Sequence, residues 1–329
     1  MDNSDVVAYL GRQEGKSLLP LERSELNSRL PALYVSVRQD APSSRERVVV
    51  QAENYAGHDN EGRMPFVCDF LRRAVLPHLS CDITGWFNIQ LHDSYTYLND
   101  GIDYTNVLTF SKHKEDAGPV LLPDPFQMQG YSGMLSSLVD KLSWEEKVDK
   151  MVFAGTTTGD RRPLHNERVR ACLWSAKNRS ISDFYITNVA QMHLADLRRD
   201  LAGANADADA ILRPPMSAED QFRYKFNVNI RGNTCCWSRV PMIMASNSLM
   251  LNLYHSDVTW YYPLLHQDTH YVGCGMHDLH SKFTYCLNNP DWCKFIVKSA
   301  NRFVSQFCGS IHASIYLKSL FETAAGNMP

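Results

Sequence analysis

Residues 229–253 read NIRGNTCCWSRVPMIMASNSLMLNL. A strand pattern ends at Ile230, and Arg231, Gly232, Asn233 and Thr234 form a polar turn. A short helix must begin near Trp237, Ser238 and Arg239, because Pro241 is tolerated only in a first helical turn. A second apolar strand follows at 249–253. Strand, turn, helix and strand in this order make the repeating unit of a parallel sheet. Ser238 is placed to cap the helix. A glycine turn that feeds a helix offers unpaired N–H groups and a positive dipole end, which suits a phosphate, and Arg239 adds a fork-shaped cation. The alternative is an ordinary strand–turn–helix with Arg239 on the surface.

Upstream, residues 153–162 read FAGTTTGDRR, another strand running into a loop rich in glycine and threonine and then into arginines. Gly155, Thr156 and either Arg161 or Arg162 are suited to a diphosphate. Residues 86–95 read WFNIQLHDSY, where Phe87, Ile89 and Leu91 are the inward positions of a strand. Asp93 then lies just past the strand's carboxyl end, the edge at which open α/β sheets bind ligands. An aspartate there serves as a general base or, more commonly, as a turn former.

Further strand patterns fall at 48–50, 107–110, 151–153, 184–187 and 270–272. Phe222, Tyr224, Phe226, Val228 and Ile230 alternate with polar residues, a period-2 signal. Ser143 and Glu146 have capping-box spacing and open a second segment. The tail from Trp292 to Thr323 is helical by pattern, with Gly309 as a break. The expected organisation is an N-terminal domain over 1–142, a second over 143–290 and a helical segment over 291–329, with a small-molecule site in a cleft between the two domains.

The chain has 329 residues, with 33 basic against 36 acidic residues and a net charge of −3. A general nucleic-acid binder carries a large positive excess, so that class is disfavoured, while one local basic pocket is allowed. The apolar run at 241–254 is broken by Ser246, Asn247, Ser248 and Asn252, so no transmembrane span is expected. The acidic start, Asp2 to Asp5, leads into no apolar segment, which predicts a cytoplasmic protein without a signal peptide. Nine cysteines without a C-x-x-C pair read as reduced thiols.

The ordered blocks Trp144-x-x-Lys147, Phe153-x-Gly155-Thr156, Arg161-Arg162, Tyr224-Lys225-Phe226 with Arg231-Gly232, Trp237-Ser238-Arg239, Ser246-Asn247-Ser248, Tyr262-Pro263 and His270-Tyr271 resemble glycosyltransferase family 90. His92-Asp93, Phe110-Ser111-Lys112 and Leu122-Pro123 join the match, which covers roughly 85 to 275. The resemblance implies a GT-B-like α/β fold of two Rossmann-type domains facing a cleft, with the C-terminal helix closing across them. It also implies an inverting, metal-independent transfer of glucose or xylose from a UDP-sugar to a glycan or glycoprotein acceptor, as in capsule or lipopolysaccharide modification. Asp93 matches the family's base. Gly155, Thr156, Arg161, Arg162, Arg231, Gly232, Asn233, Thr234, Trp237, Ser238 and Arg239 match the donor side. Three differences stand out: Ala154 replaces an arginine frequent in the family, Ser238 directly precedes Arg239, and Asn247 replaces a glycine.

Two metal patterns compete with this reading. His266, His270, Cys274, His277 and His280 have zinc-like spacing but are interrupted by Gly273 and Gly275. Asp207-Ala208-Asp209 has the DxD form but lies in a polar stretch and reads as a solvated loop. A second functional class, a catalytically silent nucleotide- or glycan-binding protein on the same scaffold, is set apart by the presence of both Asp93 and Arg239.

Overall fold

The computed structural model describes residues 2–41, 43, 47–54, 62–93, 101–131, 135 and 140–326. Ser94 and Tyr95, which close the quoted 86–95 stretch, lie outside them. The described strands are β1 (Ala32–Val37), β2 (Val48–Glu53), β3 (Ile83–Ile89), β4 (Val107–Thr109), β5 (Lys112–His113), β6 (Val120–Leu121), β7 (Val148–Thr156), β8 (Ser182–Asn188), β9 (Tyr224–Asn229), β10 (Leu249–Leu253), β11 (Asp257–Val258) and β12 (Val272–Cys274). They belong to a mixed α/β chain of two compact units that interleave in sequence. The first comprises 1–131, 256–262 and 306–329, and the second 132–255 and 263–305.

The first unit holds a five-stranded sheet in the order β2-β1-β3-β4-β6. β1 is antiparallel to both β2 and β3, whereas β3, β4 and β6 run parallel. The sheet is therefore mixed, and only its β3-β4-β6 part has the parallel form of a Rossmann-type domain. β1 was not evident in the polar opening segment, yet Leu33, Val35 and Val37 are fully buried. The helix Asn3–Gly15 is capped by Asp2, whose side chain accepts from the Asp5 amide. It packs on the helix Ser310–Gly326, and a Cβ at Gly11 would stand 2.2 Å from the Tyr316 carbonyl oxygen. Glycine there permits backbone-to-backbone approach. Glu14 of the same helix takes two 3.1 Å bonds from Lys112 Nζ and a 3.2 Å bond from the Leu121 amide.

The second unit carries a wholly parallel sheet, β12-β10-β9-β7-β8. Its core joins Phe153, Phe184, Phe226, Val228 and Ile230 to Val169 and Cys172 of the helix Glu167–Ala176 and to Phe283 and Ile296. The inward set 226, 228 and 230 follows from the period-2 pattern. Ser143 caps as its spacing predicts, with its N–H and Oγ both donating to Glu146, but it opens only the short turn Trp144–Glu146 ahead of β7. No helix among the described residues is long and apolar enough to cross a membrane.

Three separate segments of the first unit meet at Asp124. Its fully buried carboxylate accepts from the Gln127 amide at 3.1 Å and from Tyr131 Oη at 3.4 Å. Gln127 in turn donates to the Phe307 carbonyl and accepts from Trp260 Nε1. Burial pushes the Asp124 carboxyl up to about 6. A raised acid pKa means that the native state holds a proton which the unfolded chain has lost. Its contribution to stability is complete below the usual carboxylate range and is lost as pH rises through about 6. The variant Asp124→Asn keeps the helix cap without that titration. Thermal melts should show its advantage over wild type growing from pH 4.5 to pH 7.5, and a pH-independent difference would contradict the burial argument.

Candidate active site

In the second unit the chain enters the sheet at β7, passes to β8, and then crosses back to β9 before continuing to β10 and β12. Its direction reverses between β7 and β9, and an open α/β sheet forms its ligand crevice at the carboxyl ends of such a strand pair. The two loops singled out from the sequence follow these two strands.

The pair does not stay zipped to its end. The last register match between β7 and β9 is Val152 with Asn227, whereas β7 remains paired with β8 as far as Thr156. The Met151 and Thr157 amides donate to Ile181 and Asn188 on the β8 side, so the alternate residues Ala154 and Thr156 aim their carbonyls at the gap. Two guanidinium groups fill it. Arg239 Nη2 donates to the Ala154 carbonyl at 2.5 Å, and its Nη1 reaches Gln221 Oε1 at 3.3 Å. Arg168 donates through Nη1 to the Thr156 carbonyl at 3.1 Å, through Nη2 to the Ile230 carbonyl at 3.0 Å and through Nε to the Arg231 carbonyl at 3.0 Å.

Both cations share the Phe153 ring, their Cζ atoms 5.7 Å (Arg168) and 4.9 Å (Arg239) from its centroid, a cation–π arrangement. Among the described residues no carboxylate is ion-paired with either one. Burial lowers the Arg239 guanidinium to about 10, and the positive charge of Arg168 acts in the same direction.

The two loops are also tied to each other. Arg168 Nη1 donates to Thr158 Oγ1 at 2.6 Å, and the Gly159 amide donates to Asn233 Oδ1 at 3.1 Å. A Cβ on Gly232 would stand 2.6 Å from Thr158 Oγ1 and 3.0 Å from Arg168 Nη2. Gly232 is thus required by close packing between loops, and its own amide donates to the Thr234 carbonyl. Gly155 lies within β7, not in the loop. A Cβ there would meet Phe153 Cζ at 2.8 Å and Arg239 Nη2 at 3.2 Å, so its bareness makes room for the stacked guanidinium. Of the glycines in these two loops, the one with positive φ is Gly159, at +117°.

Other residues chosen from the sequence sort differently. Arg162 is committed to Asp160 through bonds of 3.0 and 2.5 Å, which hold that carboxyl down at about 2. Arg161 is exposed, with no side-chain partner among the described residues. Arg231 pairs with Glu167 at 3.3 Å. Thr234 and Trp237 are buried. Ser238 occupies the N-cap position with helical backbone angles and makes no side-chain cap bond, which corrects the expected cap. The helix that follows, Arg239–Met244, has six residues, under two turns, so its dipole is short. Arg239 is not on the surface; it is drawn into the gap. Ala154 lines a recess of about 540 Å³ with Tyr185, Met216 and Arg223.

In the first unit Asp93 follows β3 at the carboxyl edge of the parallel strands. Its Oδ1 accepts from Arg63 Nη2 at 2.8 Å, its carbonyl accepts from Ser111 Oγ at 2.6 Å, and its side chain is 32% exposed. Arg63 also donates to the Leu91 carbonyl at 2.6 Å, fixing the carboxylate against the strand end. Arg63 and Arg168 were missed from the sequence, and each lies in a helix with no motif around it.

The metal patterns find other uses. His266 and His270 stack at 5.8 Å, and His270 packs on Phe303. Asp207 accepts from the Asp209 amide, and Asp209 accepts from Arg198. Among the described residues no three His, Cys, Asp or Glu side chains gather as a metal site. All nine cysteines are free thiols.

The wholly parallel sheet of the second unit is consistent with an α/β glycosyltransferase. The sequence profile of glycosyl transferase family 90 matches residues 125–326, more than half of the chain, and the protein belongs to that family. It is also similar to "Uncharacterized protein 035R" of Invertebrate iridescent virus 3, at 26% identity over 170 residues. That alignment takes in 49% of this chain but 15% of the relative, so the chain spans a small part of that protein's length.

The packing of the loops makes a direct prediction. Gly232→Ala should destabilise the protein by about 1–3 kcal/mol, the usual cost of overpacking, read as a lower midpoint in denaturant titration. An unchanged midpoint would show that the loops are not in the contact described.

Proposed function

We propose that this chain is an inverting glycosyltransferase whose second unit binds a UDP-sugar and whose first unit supplies the base Asp93, the division of labour of a GT-B enzyme. The observation that carries the reading is the gap between β7 and β9, where two buried guanidinium groups stand at a topological switch point with no carboxylate paired to them among the described residues. Such a field favours a dianionic group at the adjacent loops.

Asp93 takes the proton of an acceptor hydroxyl as that oxygen attacks the anomeric carbon. The bond from carbon to the diphosphate oxygen breaks on the opposite face, inverting the centre. The charge left on UDP is met by Arg161, a cation without a side-chain partner among the described residues, and by the field of Arg168 and Arg239. These cations do the work a divalent ion would otherwise do, so transfer proceeds without a metal. Glucose or xylose is the proposed donor sugar, with a hydroxyl of a glycan or glycoprotein chain as acceptor.

Asp93→Asn should reduce transfer by about 100-fold or more, within the range for losing a general base, while calorimetry shows UDP affinity retained. Transfer at the wild-type rate would remove Asp93 from the mechanism. Arg161→Ala should weaken UDP binding by about tenfold, as expected for a charge-assisted contact. Arg162→Ala should change it little, because Arg162 is tied to Asp160. The reverse order would exchange their assignments. Activity should persist in EDTA.

A further inference from the structure

We infer that Arg168 is the positioning residue that makes the two phosphate-side loops a single ordered body; the inference rests on the donor-site reading above only where ligand affinity is concerned. The side chain comes from the helix Glu167–Ala176 and is 7% exposed. All three of its nitrogens donate. On the β7 side they hold the Thr156 carbonyl and Thr158 Oγ1, and on the β9 side the carbonyls of Ile230 and Arg231 and, at 3.3 Å, the sulfur of Cys236.

A guanidinium has five N–H donors in a rigid plane and accepts nothing. With its donors spent on the protein, Arg168 has no N–H to give a ligand. Its effect on an anion is therefore exerted through the loops it holds and through its charge. The contacts span the gap where the β7–β9 ladder has stopped, so this one side chain replaces the missing rungs. Beyond it the loops touch through Gly159 and Asn233 and through the contact of Gly232 with Thr158. Loosening one loop must then loosen the other. A lysine keeps the charge but offers three donors on one atom and cannot span both sides.

Hydrogen–deuterium exchange on the full chain tests this, using Arg168→Lys and the milder Thr158→Val, which removes one acceptor in the β7 loop. Both variants should lose protection in residues 156–162 and in 230–237 together, while β10 and the helix Pro290–Phe307 stay protected. For Thr158→Val the informative change is at 230–237, across the gap from the substitution. Loss confined to 156–162, or no loss in either loop, overturns the inference. If Arg168→Lys does not fold, Thr158→Val decides alone. Calorimetry with UDP forms the second arm. Arg168→Lys should bind about tenfold more weakly, the scale of a lost charge-assisted hydrogen bond, and lysine restoring wild-type affinity would show that charge alone matters and overturn the positioning role. Failure of the wild-type protein to bind UDP would instead overturn the donor reading, leaving the exchange result to judge the loops.

Discussion

The second unit depends on a pair of guanidinium groups inserted where two parallel strands part. β7 and β9 stop pairing after Val152 and Asn227, yet β7 runs on to Thr156. Carbonyls left without partners in such a place each cost free energy comparable to a lost hydrogen bond. Arg239 and Arg168 satisfy them, but bring two like charges into a poorly solvated space, an arrangement that is unfavourable unless the charges are well bonded. Backbone acceptors and the shared Phe153 ring offset part of that penalty. What remains is a positive field at the carboxyl ends of the two strands.

Much of the local sequence follows from this one arrangement. Position 155 must be bare because the Phe153 ring and the Arg239 guanidinium occupy the space of its Cβ. Position 232 must be bare because Thr158 and Arg168 reach across the gap. Both glycines were first assigned to phosphate-cradling turns. The contacts around both add a requirement for close approach, and the positive φ of a turn belongs to Gly159 of the loop after β7. A Gly-rich loop is thus a reliable sign of a tight place, while the partner that makes it tight is a matter of tertiary packing.

The legible part of the fold was the part with local periodicity. The alternation through Phe226, Val228 and Ile230 placed β9 and its buried face, and the strand–turn–helix grammar located both loops and the carboxyl-edge position of Asp93. The opening third was less legible, because β1 has only three fully buried side chains and one of its two partners, β3, lies about fifty residues away. Arg168 was invisible for a related reason. Its neighbours Glu167 and Arg170 are exposed, so the segment reads as the polar face of a surface helix, and only the loops closing over it make one arginine internal. Arg63 lies 30 residues from Asp93, a distance at which no spacing rule operates.

The same device recurs in each unit. Arg63 donates to the Leu91 carbonyl just beyond β3 and to the Asp93 carboxylate, as Arg168 and Arg239 donate to the carbonyls at the ends of β7 and β9. In all three cases an arginine from elsewhere in the chain binds backbone oxygen where a ladder has run out. Binding to carbonyls fixes the planar group, and fixing it sets the direction of its charge. At Asp93 that charge meets a carboxylate and fixes its orientation through the 2.8 Å ion pair. At the β7–β9 gap no carboxylate among the described residues pairs with Arg168 or Arg239, and backbone oxygens are what hold the two groups. The net charge of −3 is no guide to this difference, because what matters is which of a few buried cations the chain has chosen to neutralise for itself.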